Sequence, residues 1–399
     1  MRRAIVAGLS VIVVAIGSVP GGAQQRLTGI RTTIIGPVYE AWSFGDGLFQ
    51  PMSSGADSVR IDRASQWTLP VAVVIPLGAR FTLDVSAAFA SAQVKLAGPD
   101  TVLDTDSYSL SGLTDTKIRL TTKLAGENVL FTLGINGPTG KTELDDEELA
   151  ALRVMAAPAL GFTIPALGTG AGGTAGIVVA REVNTWAWAF GASYEMRGEY
   201  SPVSLAAGVP TTDFNPSDAI HVSLGVNGLV GQNEMTLGVA GDFFGEDELR
   251  SGATAAPATK LGPIYTVEWT LDFATRRLRE ASLFVVDRYR SSYEQNGQAI
   301  DESSGNYLDA GLRLIFPAGA RTGIITALAL RHQTGLKVDN TFSTAAAATG
   351  ALTVGVSREL ASGYMLQPFL RAQLGKIETG ENSANANAIG LGVTFSRRF

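Results

Sequence analysis

The chain has two histidines, and one stands in the triplet His221-Val222-Ser223. Residues i and i+2 of a strand share a face, so an imidazole at this spacing could activate the serine hydroxyl for lipid hydrolysis. The flanking residues argue against that chemistry. Ile220, Val222, Leu224 and Val226 make the greasy face, which turns His221 and Ser223 to the polar side. Leu224 stands where the Ser-Asn-Gly continuation of such hydrolases would begin, and no acid or amide is identifiable to orient the base. The pair reads as polar lining, and no catalytic residue is assigned. His332 falls at a strand end and reads as rim.

Other candidate chemistry is sparse. Acidic clusters at Asp145 to Glu148 and at Glu246-Asp247-Glu248 lack the alternating Asx and Gly spacing of a calcium loop, so no metal ligand is assigned. There is no phosphate-cradling glycine loop and no dinucleotide fingerprint, so no cofactor is expected. Cysteine is absent, which excludes disulfides, thiol catalysis and cysteine metal sites. A net charge of −6 does not suggest a nucleic-acid partner.

The elements that would position these side chains are strands. In the last one, Ile389, Leu391, Val393 and Phe395 alternate with Gly390, Gly392, Thr394 and Ser396, a period of two that ends at Phe399. Arg397 occupies a position that would ordinarily be apolar in such a strand. The alternation recurs with Leu308, Leu312 and Phe316 against Asp309, Gly311 and Arg313, and with Tyr265, Val267 and Trp269 against Thr266, Glu268 and Asp272. Trp186, Trp188 and Phe190 oppose Ala187, Glu195 and Arg197, while Ile118 and Leu120 oppose Lys117 and Arg119. One face greasy and one polar is the pattern of strands set between lipid and a lumen. The candidate lumen residues are therefore Lys117, Arg119, Glu195, Arg197, His221, Ser223, Glu268, Asp272, Asp309, Arg313 and Arg371. Their mixed charge suits either a water-filled pore or pairing across the lumen around a plug.

Loop lengths agree with this pattern, because short turns and long loops alternate backwards from Phe399. The alternation holds if 137–172 is one long external loop rather than a loop with a strand at Ala157 to Ile164. Within it, Thr142 can cap a helix over Glu143 to Arg153 whose first turns are acidic. Leu144, Glu148, Ala151 and Leu152 share a face of that helix. It is expected either to fold into the pore mouth or to lie solvated on the surface. The expected fold is all-β: a transmembrane antiparallel β-barrel of about sixteen strands with long extracellular loops and short periplasmic turns. The count includes Ile30 to Phe44, which Pro37 interrupts; as part of an N-terminal plug, within 24–66, that segment would leave fourteen.

The termini and bulk composition fit the same class. Arg2 and Arg3 precede an apolar run from Ala4 to Val19 and a Pro20-Gly21-Gly22-Ala23 breaker, the form of an export signal cleaved after Ala23. No other stretch nears the roughly eighteen apolar residues of a spanning helix. Yet mean hydropathy is +0.17 with only 17% charged residues. A bacterial outer-membrane location is expected, with lipid and lipopolysaccharide around the barrel, and Phe399 resembles the C-terminal aromatic of outer-membrane barrels that the assembly machinery reads.

Three short motifs carry a resemblance. Ser111-Gly112-Leu113-Thr114-Asp115-Thr116, Pro138-Thr139-Gly140-Lys141 and Leu167-Gly168-Thr169-Gly170 occur in that order. Their sequence resembles the outer-membrane proteins associated with the meta-pathway of phenol degradation, which are distantly similar to long-chain fatty-acid and toluene channels. The resemblance covers chiefly Ser111 to Tyr200, and the Asn-Pro-Ala segment of fatty-acid channels is not found. It implies passage of small hydrophobic or aromatic solutes across the outer membrane and supplies no ligand-binding residue. The residues themselves leave a general aqueous porin, a lipid-modifying hydrolase and a structural barrel open as alternatives.

Overall fold

A computed structural model describes residues 34–51, 58–78, 80–100, 105–124, 128–203, 212–251, 254–255, 259–300, 303–334, 336–338, 342–344, 346–360, 363–379 and 382–397. The expected export segment and Phe399 lie outside these residues. The strands are β1 (Ile34–Ile35 and Val38–Pro51), β2 (Ser58–Leu77), β3 (Phe81–Asp100) and β4 (Thr105–Leu113 and Thr116–Leu124). β5 (Val129–Gly137), β6 (Gly172–Val183), β7 (Trp186–Arg197) and β8 (Ala219–Val230) follow. Next come β9 (Asn233–Phe244), β10 (Ile264–Asp272), β11 (Glu280–Arg290) and β12 (Gly305–Pro317). β13 (Thr322–Gln333), β14 (Ala346–Glu359), β15 (Tyr364–Thr379) and β16 (Asn382–Arg397) complete the set. Each pairs antiparallel with the next, and β16 closes on β1 with Ala388 opposite Trp42. Eighteen paired segments make sixteen strands, because β1 and β4 are each broken once.

Pro37 explains the first break. It has no amide hydrogen for the ladder. Gly36 beside it passes so close to β16 that a Cβ would fall 2.3 Å from the Val393 carbonyl oxygen. The strand nevertheless continues, with the Val393 amide donating to the Pro37 oxygen at 3.1 Å. Residues 34–51 are therefore wall rather than plug, and sixteen is the strand count.

At one end of the barrel the connections are short. Asn184, at φ 59°, and Gly231, at φ 65°, supply the left-handed residues of the turns that join β6 to β7 and β8 to β9. Outward from β2 point Trp67, Leu69, Val71, Val73, Ile75 and Leu77. Ten residue steps at about 3.3 Å, tilted by about 40°, give an apolar band about 25 Å tall. Exposed aromatics mark its edges: Tyr39, Trp67, Tyr194 and Tyr265 towards the long loops, Phe81, Trp188, Phe273 and Phe316 towards the short turns.

Above the band the alternation inverts on β1–β4 and β14–β16. Low on β3, Leu83 and Val85 face out while Asp84 and Ser86 face in; high on β3, Gln93 and Lys95 face out while Ala92, Val94 and Leu96 are buried inside. Trp42, Phe44, Ile61, Tyr108, Leu110 and Ile377 extend this apolar inner wall. The segment 138–171 covers it. It leaves and re-enters the wall at the long-loop end, but it folds into the barrel instead of outward. Its helix α1 (Asp146–Met155) buries Ala150, Ala151, Val154 and Met155 in that core. Residues 157–164 contain no strand.

The helix starts later than Thr142. Asp145 is its cap, accepting from the Glu148 amide at 2.8 Å, while the Glu148 carboxylate takes the Asp145 amide at 3.3 Å. This reciprocal box satisfies donors that Thr142, too far upstream, could not reach. Asp145→Ala should cost the helix about 1 kcal/mol. The check is faster amide exchange at Glu148 and Leu149 with the thermal transition of the barrel unchanged.

Candidate functional site: a constricted lumen

The infolded segment crosses the lumen at the level of the upper aromatic band and is fastened to the far wall. The Trp42 indole nitrogen donates to the Leu160 oxygen at 3.0 Å. Gln66 makes two bonds to the Ile164 backbone, at 2.6 and 3.1 Å, so its amide matches a peptide unit edge to edge. The Thr163 hydroxyl donates to Glu40 at 3.1 Å, and Glu40 in turn pairs with Arg371 at 3.3 Å. Arg331 pairs with Asp309 at 3.5 Å and lies over the Tyr307 ring. Gly161 has φ +60°, which favours glycine, and a Cβ there would fall 2.0 Å from an Arg331 nitrogen, so any side chain would also have to displace that guanidinium.

A second charged group occupies the opposite wall. His221 is held between two carboxylates, with Nδ1 at 2.7 Å from Asp242 and Nε2 at 3.2 Å from Glu195. Arg197 lies 3.6 Å from Glu195 and over the Phe244 ring. Lys117 lies within electrostatic reach of Glu195, Asp115 and Arg197. Just above, the Tyr194 hydroxyl and the Arg197 amide both donate to Asp218, and these bonds hold its carboxyl below the usual range.

Exposure separates the two groups. The side chains of Glu40, Asp309 and Arg371 are 3–6% exposed and that of Arg331 14%, whereas Glu195, Arg197 and Asp242 keep 27–30% around a His221 that is itself 13% exposed. The first group is sealed beneath the infolded segment and neighbouring wall. The second keeps partial access to solvent through Glu195, Arg197 and Asp242.

All eleven candidate lumen residues fall on inward positions of their strands. Glu195, Arg197, His221 and Lys117 come together; Asp309 and Arg371 meet in the sealed group. Arg313 pairs with Glu280 lower down. Arg119 lies opposite Asp84 and Gly134, Glu268 opposite Gly238 and Val286, and Asp272 opposite Glu234. Ser223 lies between Gly191 and Ala240 with its hydroxyl buried and unpartnered, and both His221 nitrogens are engaged by carboxylates. No activated nucleophile results. Glu40, Gln66, Asp242 and Arg331 were not among the sequence candidates. The inward register of their strands was the available signal.

A closed, even-stranded barrel with an apolar outer band, aromatic edges and one set of long loops is a transmembrane β-barrel of the bacterial outer-membrane type. No protein-family model matches the chain, and no curated protein matches it. Among solved structures, OprB of Pseudomonas putida aligns over 94% of this chain and 96% of its own, at 12% identity and a TM-score of 0.44. OpdK of Pseudomonas aeruginosa aligns over 92% and 99%, at 8% identity and 0.39. An outer membrane channel of Pseudomonas putida F1 aligns over 92% and 96%, at 12% identity and 0.37. The barrel assignment stands on the chain's own strand pairing.

Proposed function

We propose that the protein is an outer-membrane diffusion channel whose permeation path is the unfilled half of the lumen, between segment 138–171 and the wall of β5–β11. The observation that carries this reading is the asymmetry of exposure. The infolded segment is packed against one side, and the other keeps Glu195, Arg197 and Asp242 partly open to solvent around His221. A path lined by both signs of charge suits water and small polar solutes. In this reading the chain is exported by the segment ahead of Gln24, assembled through Phe399 and surrounded by lipid and lipopolysaccharide.

The motif resemblance implies a second reading, passage of small hydrophobic or aromatic compounds. It is favoured by the apolar inner wall of Trp42, Phe44, Val94, Tyr108 and Leu110, which would form a greasy route wherever the segment withdrew.

Ion conductance of the refolded protein in a planar bilayer separates the two. Discrete, stable steps are expected for the aqueous path. Silence from protein shown to be folded would refute it, and uptake of a labelled aromatic compound into protein-bearing vesicles would then be the supporting result for the second.

A further inference from the structure

The three turn motifs are far apart in sequence but meet at one point. β4 is interrupted at Thr114–Asp115, and there the two stems of the infolded segment are tied to the wall. Asp115 is 4% exposed. Its Oδ1 accepts the Gly140 amide at 3.0 Å; its Oδ2 accepts the Thr169 amide at 2.6 Å and the Thr169 hydroxyl at 3.1 Å. Its own amide donates to the Leu167 oxygen at 3.1 Å. Thr139 completes the knot, accepting from the Thr116 amide at 2.9 Å and donating to the Thr114 oxygen at 3.1 Å. The stems cross without room for a side chain: a Cβ on Gly140 would fall 2.5 Å from the Leu167 oxygen, and one on Gly168 2.8 Å from Thr142.

We infer that Asp115 is the positioning residue that clasps both stems of segment 138–171 and so keeps the constriction in the lumen. One buried carboxylate draws donors from both stems, and one bond to each is to a backbone amide. Removing it strands those amides away from water, an expensive state that opening of the stems relieves. The far wall then holds the segment alone. The predicted rise in conductance rests on the channel reading; the clasp does not.

The test uses the full-length protein with Asp115→Ala, its barrel verified by heat-modifiable gel mobility. The milder Thr139→Val, which removes only the outer hydroxyl of the knot, serves if the first fails to assemble. Trypsin access to Arg153 in α1 reports the segment directly, and bilayer conductance reports the path. Cleavage at Arg153 is expected to rise roughly ten-fold and conductance roughly two-fold. A disulfide supplies the rescue. A Cβ at position 112 would lie 3.2 Å from the Lys141 Cβ, so the bridge needs the strand and stem to part by a few tenths of an ångström to reach the usual spacing of about 3.5–4.5 Å, and the chain has no other cysteine to interfere. Asp115→Ala combined with Gly112→Cys and Lys141→Cys should regain protection when oxidised and lose it when reduced. Protection equal to that of the unmodified protein overturns the clasp, whatever the conductance. Loss of protection with no conductance in either protein upholds the clasp and overturns the channel.

Discussion

Trp42→Ala should destabilise the long-loop half of the protein by about 3–5 kcal/mol, the cost of emptying a large aromatic site in a packed core. Trp42 is 1% exposed and stacks at 6.5 Å on Phe44. It also supplies the indole hydrogen bond that fastens Leu160 to the wall. The substitution therefore removes packing and a tether together. Trp42→Phe keeps most of the packing and loses only the bond, so it should cost nearer 1 kcal/mol. The measurement is guanidinium unfolding of the detergent-solubilised protein. The alanine variant should show an early transition ahead of barrel unfolding. A single transition at the unmodified midpoint would mean that the segment is not anchored there.

Glu40→Ala should have an effect of the same size, by electrostatics instead of volume. Glu40 accepts from Thr163 and faces Arg371, and both charged side chains are 5–6% exposed. Deleting Glu40 leaves the buried Arg371 guanidinium without its paired carboxylate, with only Asp309 nearby among the described residues and shared with Arg331, a loss of up to about 3–5 kcal/mol. Removing both charges should recover much of this loss, since a buried ion pair stabilises little relative to apolar residues of similar size. Glu40→Leu with Arg371→Met should accordingly unfold closer to the unmodified protein than Glu40→Ala does. If the double variant falls as far as the single one, the pair contributes through shape or through Thr163, and uncompensated charge is not the cause.

The two variants act on different parts of one arrangement. The barrel within the membrane is closed by strand pairing alone. The constriction adds a second core above it, built from an apolar inner wall and an infolded segment. That core is fastened at Asp115 on the near side and at Trp42, Gln66 and Glu40 on the far side. Weakening either end should loosen the infolded segment without opening the strand ladder.

The sequence by itself determined the barrel. Lipid on one side and a lumen on the other impose a period of two on every membrane strand, and that period is a local property. Ile389 to Phe395 and Trp186 to Phe190 show it without reference to any partner. The loop alternation likewise located the long connection, as 137–172, and led to about sixteen strands, with fourteen left open by Pro37. Only the tertiary structure decided which way that segment goes. A period of two distinguishes two faces of a strand but does not say which face is inside. On β3 the apolar face turns outward at Leu83 and inward at Val94, because above the membrane water lies outside and protein lies within. The positions of Glu40, Asp242 and Arg331 were open to the same inward register, but their partners lie on other strands. Asp115 was in view as part of a turn motif. Its role was not, because the amides it binds come from chain that is distant in sequence and adjacent only once the stems cross.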